Sequence, residues 1–146
     1  MNTQQKVSDL SYFRLALLAF LQESHPHLAG DEKFITARTE SALDTYEQAL
    51  INGQNPFEAG HSANQMLFFG LHFSKHDTLK NILWNEFSTE IPENKAKALA
   101  VKLLPHCEII FSNYPLSDDF AYSPEYESLY TELTGEICSL LENPNL

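Results

Sequence analysis

The sequence predicts an all-α protein, a single domain over residues 1–146 folded as an irregular or orthogonal bundle of six to seven helices. Three observations carry this. Apolar residues recur at three- and four-residue spacing along the chain. Only five glycines occur in 146 residues, too few for the many tight turns of a β-rich fold. Prolines and short polar capping residues mark off segments of helix length, joined by short connections. Apolar residues make up 43% of the chain, a globular composition long enough to bury a core. Flexible ends are expected at about 1–7 and 143–146.

Each element follows from local grammar. Ser8 is placed to cap a first helix, about Asp9 to Glu23, with Leu10, Phe13, Leu17 and Leu21 on one face. Pro26 ends it. A second helix runs from about Asp31 to Asn52, with Gly53 as its left-handed terminator. Asn55-Pro56 starts a third, to about Leu71. Ser74 opens a fourth, carrying Leu79, Ile82, Leu83 and Phe87. Pro92 opens a fifth, which Pro105 breaks or kinks. The apolar piece at 107–111 fits a helical turn, a short helix or a strand. Residues 112–122 read as irregular. Ser123-Pro124 caps a last helix to about Glu142, and Gly135 inside it costs about 1 kcal/mol relative to Ala, which close packing of another helix would offset.

The formal net charge is −11. From Val101 onward the sole Lys or Arg is Lys102, against eight acids from Glu108 to Glu142. Such a surface repels phosphate, so it disfavours nucleic-acid backbones and anionic membranes and suits a basic partner. No apolar run reaches membrane-spanning length. The Leu15–Leu21 run fits an amphipathic helix better than a secretory core, which points to the cytoplasm. Cys107 and Cys138 lack CxxC spacing, sit among apolar residues, and are expected as buried free thiols.

The densest patch of possible chemistry is GLHFSKHDTLKNILWNEF, residues 70–87. His72 and His76 stand four apart, the spacing of a zinc-protease helix, but no glutamate accompanies them to activate water. Ser74 followed by Asp77 is a helix start instead, which turns the chain and separates the two imidazoles. His72, His76, Asp77 and Trp84 remain the candidates for an inter-helical pocket, with Trp84 at a core or groove edge. His25-Pro26-His27 holds its histidines apart, and the histidines are expected in loops and at the surface. Nucleotide-binding, nucleophile-elbow and calcium-loop motifs are absent. No catalytic residue, metal site or cofactor is predicted. Glu132 and Glu136 read as a solvated face.

The second patch is NYPLSDDFAYSPEY, residues 113–126. Tyr114, Phe120, Tyr122 and Tyr126 stand among Asp118 and Asp119. Aromatics with acids in an irregular stretch form either a docking surface for a basic, apolar-anchored protein or a lid stapled over the helices.

The blocks GLHFSKHDTLKNILWNEF, ALAVKLLPHCE and YPLSDDFAYSPEYESLYTELTGEI resemble a bacterial family of small all-helical proteins of unknown function. The resemblance runs from about Leu10 to Leu141. Members of that family are often encoded among conjugative-transposon and other mobile-element genes. It implies an all-α fold, a bacterial cytoplasmic setting and an accessory role in element maintenance or transfer, and it assigns no activity to any residue. The function expected is therefore a non-enzymatic accessory protein, monomer or homodimer, that binds another protein. The alternative is a small-molecule or metal-binding protein, or an enzyme, with its pocket near His72, His76 and Trp84.

Overall fold

The computed structural model describes residues 3–143. The fold is all-α: six α-helices and two short 3-10 turns, with no strand among the described residues. Expectations for residues 1–2 and 144–146 lie outside the described residues. The chain divides into two compact units, Met1–Leu71 and His72–Leu146.

The first unit holds α1 (Thr3–Ser24), a 3-10 turn (Pro26–Leu28), α2 (Glu32–Ile51) and α3 (Pro56–Leu67). Its core joins Phe13, Leu17 and Leu21 of α1 to Ile35, Ala42 and Leu43 of α2, and to Ala63, Leu67 and Leu71 in and after α3. Each of the Leu, Ile and Phe side chains contributes about 1.5–3 kcal/mol by leaving water, and the two alanines less. The helix ends obey the capping rules. Asp31 accepts from the Phe34 amide at 3.1 Å. Asn55 and Glu58 form a reciprocal capping box with Pro56 in the first turn. Gly53, at φ 93°, ends α2 as predicted. The Arg38 guanidinium lies over the Phe34 ring and donates to the carbonyls of Leu67 (3.2 Å) and Phe69 (2.6 Å). It thereby satisfies acceptors that the end of α3 leaves open. Ser8 is not a cap: α1 begins at Thr3, one and a half turns earlier. The polar residues ahead of Asp9 extend the helix, and Gln5 donates across one turn to Asp9 at 3.0 Å.

The second unit holds α4 (Lys75–Glu86), α5 (Glu93–Phe111), a 3-10 turn (Phe120–Tyr122) and α6 (Glu125–Leu141). Its core runs from Phe73 through Leu79, Ile82 and Leu83 to Leu103, Cys107 and Phe111, closed by Phe120, Leu129, Leu133 and Ile137. Pro105 does not end α5, and residues 107–111 continue the same helix. Proline removes the hydrogen bond to the carbonyl four residues back, on Val101. Val101 is 49% exposed, so water can serve that carbonyl.

Two further expectations are corrected, and the space at Gly135 is open. Ser123 does not cap α6 through its side chain; its hydroxyl donates to the Phe120 carbonyl at 2.8 Å. Cys107 is buried but Cys138 is exposed, because residue 138 falls one position past the buried stripe of Leu129, Leu133 and Ile137. No neighbour packs on Gly135: a Cβ built there meets nothing within 4 Å. Gly135 therefore costs helix stability without a packing gain. Gly135→Ala is expected to stabilise the protein by about 0.5–1 kcal/mol in urea denaturation. An unchanged or lower midpoint would mean that the glycine serves a contact outside this fold.

Candidate functional site

The two sequence patches converge in the second unit. Ser74 caps α4, its hydroxyl accepting from the Asp77 amide at 2.9 Å. His72 thus lies outside the helix and is exposed, whereas His76 in the first turn is 2% exposed. The two imidazoles share no face. His72 instead meets Asp118. Its backbone N–H donates to Asp118 Oδ1 at 3.2 Å, and its Nδ1 lies 3.1 Å from Oδ2. One carboxylate thereby ties the start of the α4 segment to the 113–126 stretch, 46 residues away. Both carboxylate oxygens are engaged, so the Asp118 side chain clasps rather than reaches outward.

Phe120 is the centre of the second patch. It is 2% exposed and packs edge-on against Phe73 (5.3 Å between centroids), Tyr114 (5.9 Å) and Tyr126 (6.3 Å). Edge-to-face pairs of this kind add to the gain from burial. Tyr126 lies at a tilt against Tyr130 one turn on, 6.2 Å between centroids. Tyr130 donates to Glu86 at 3.1 Å and accepts from Asn85 at 3.4 Å. Tyr114 donates to Glu132, and that bond holds its hydroxyl up at about 12, with partial burial and the Glu132 and Glu125 charges acting in the same direction. Burial also pushes Tyr126 up, against a hydrogen bond with Thr78. Of the four predicted docking aromatics, three are therefore tethered inward. Tyr122 is not: it is 90% exposed.

Tyr122 stands at a shallow groove of about 250 Å³ lined by Pro115, Ser117, Asp119, Phe120, Ser123 and Glu125. Ser117 donates to Asp119 at 2.7 Å and fixes that carboxylate. The groove is anionic at Asp119 and Glu125 and aromatic at Tyr122.

The other predicted residues make a separate arrangement along α4. Asp77 Oδ1 lies 3.2 Å from Lys80 Nζ. Lys80 is 4% exposed, and its ammonium sits 5.7 Å from the centroid of Trp84. Trp84, 41% exposed, edges a cleft of about 390 Å³ with Ser88, Ile91 and Glu93. No group of three or more His, Cys, Asp or Glu side chains is placed to hold a metal among the described residues.

Sequence reasoning missed Lys80 and Phe73. Lys80 lies three residues from Asp77 and four from Trp84, a spacing visible on α4, but its burial is not. Against the expectation of surface histidines, His25 and His76 are both buried. His25 packs near Phe20 and donates Nε2–H to the Leu71 carbonyl at 2.8 Å. Cys107 is not a nucleophile at neutral pH. Burial first, then the Glu136 and Glu108 charges, push its thiol up to about 11.

A family model described as a domain of unknown function (DUF1896) matches residues 4–146. The crystal structure of protein PG0816 from Porphyromonas gingivalis is 44% identical, with 96% of this chain and 95% of that chain covered at a TM-score of 0.93. No curated protein matches.

Two outcomes follow from the site. Phe120→Ala is expected to cost about 3–5 kcal/mol in chemical denaturation, because the cavity falls among three rings. A loss below 1 kcal/mol would show that the ring does not organise the segment. A thiol reagent at pH 7 is expected to label Cys138 rapidly and Cys107 only on unfolding. The Cys107 contribution to stability is intact below its unfolded value of 9.0 and is lost as pH rises through about 11. Two equally fast thiols in the folded protein would contradict the burial.

Proposed function

The chain belongs to the DUF1896 family, and we propose that it is a non-enzymatic accessory protein that binds a basic protein partner through the exposed edge of residues 113–126. The observation that carries this reading is Tyr122, an exposed ring on a 3-10 turn whose neighbour Phe120 is anchored in the core. Such a turn is already ordered before a partner arrives, which lowers the entropic cost of association. Tyrosine is a favoured anchor at protein interfaces. Asp119 and Glu125 beside it, in a chain of net charge −11, suit lysines or arginines flanking an apolar contact. Asp118 serves by holding the segment through His72. The setting proposed is the bacterial cytoplasm, supported by the two free thiols. A role in maintenance or transfer of mobile elements rests on the family resemblance and directs where to seek the partner.

A second reading is a small-molecule site at the cleft beside Trp84. It is supported by the ring edge there and by the Lys80 ammonium over the same ring. His72 and His76 do not contribute jointly to such a pocket.

The test is capture of the tagged protein from its host at low salt, identification of a stoichiometric partner, and titration of that partner. Affinity is expected to fall with salt, and to fall at least about tenfold with Tyr122→Ala or Asp119→Lys. A partner that binds both variants as tightly as the parent would move the interface away from 113–126. A copurifying small molecule, lost on Trp84→Ala, would favour the second reading.

A further inference from the structure

The outer side of α1 differs from that of the helix beside it. A surface helix ordinarily turns charge toward water, and α2 does, with Glu32, Lys33, Glu40 and Asp44 exposed. On α1 the exposed positions Gln5, Ser8, Tyr12, Leu15, Ala19 and Gln22 alternate spacings of three and four and carry no charge. Tyr12 is 62% and Leu15 67% exposed. Three of the charged side chains of α1 lie off this stripe and are engaged within the unit, while Glu23 stands at its C-terminal end beside Gln22. Lys6 lies 3.7 Å from Glu47, Arg14 pairs with Glu32, and Asp9 accepts from Gln5. Three-four spacing is the seam that lets two helices pack along their length.

We propose that this stripe binds a second copy of the chain, the two α1 helices lying antiparallel about a two-fold axis between Tyr12 and Leu15. A two-fold interface must be self-complementary, since residue i meets j and j meets i. The stripe meets that demand. From the centre outward, Tyr12 falls opposite Leu15, Ser8 opposite Ala19, and Gln5 opposite Gln22. Large apolar meets large apolar, small meets small, and amide meets amide. Charge selects a second copy as well. Two molecules of net charge −11 repel over most of their surface, and a neutral stripe gives them a line of approach without like-charge contact. Ser8 and Ala19 are small enough to let the backbones close while Tyr12 and Leu15 fill the middle. The contact is small, so the dimer dissociates in the micromolar range, on the order of 10–100 µM.

Sedimentation equilibrium over roughly 1–500 µM tests this. The average mass is expected to rise from one chain toward two, and Leu15→Glu is expected to raise the dissociation constant at least about tenfold. Leu15 is exposed, so helical circular dichroism should be unchanged, which separates lost association from lost folding. In a Cys138→Ser background, Ser8→Cys mixed with Ala19→Cys should cross-link under mild oxidation. Ser8→Cys alone should not, because the two copies of position 8 lie about 16 Å apart along the axis. A one-chain mass across the whole range overturns the proposal. So does a mass curve that Leu15→Glu leaves unchanged, or self-cross-linking of Ser8→Cys as efficient as the mixture. None of these outcomes touches the reading of residues 113–126.

Discussion

The burial of the Phe120 ring holds the second half of the molecule in order. A phenylalanine in an irregular stretch has no helical neighbours to fix it, so its position comes from what it displaces into the core. Here it meets Phe73, Tyr114 and Tyr126. These come from the segment before α4, the segment after α5 and the first turn of α6. One ring therefore gathers three parts of the chain, and the turn that carries it must project the next side chain but one, Tyr122, into water. Exposure of Tyr122 is a consequence of burial at Phe120.

The polar contacts around that ring reinforce the same arrangement. Asp118 closes on His72 with both oxygens, and Tyr130 bridges to Asn85 and Glu86. Each contact is partly solvated and modest by itself. Their common effect is to leave few alternative paths for residues 113–126. A stretch rich in acids and aromatics would otherwise be a mobile loop, and a mobile loop loses binding energy to ordering. The acids that remain outward, Asp119 and Glu125, set the sign of the groove.

The first unit works by different means. Helix-end bonds accompany its apolar core: the Asn55–Glu58 box, the Asp31 cap, Arg38 across the end of α3, and His25 on the Leu71 carbonyl. These satisfy backbone groups that short connections leave open. They also account for the burial of His25, a histidine whose position beside a proline reads as a surface turn. The carbonyl it serves belongs to a residue 46 positions away.

Fold class, most helix limits and the cap at Ser74 were legible in the residues because they arise from contacts within a few positions. Asn55-Pro56, Gly53 and Ser74 each act through backbone geometry or one local hydrogen bond. So did the separation of His72 from His76, since a cap between them turns the chain. What the residues could not settle was sidedness: Cys138 out and Cys107 in, Tyr122 out and Phe120 in, Lys80 under Trp84, and open space above Gly135. These depend on which neighbour arrives from elsewhere in the chain. Periodicity fixes which residues share a face, but burial is decided by the partner that covers it.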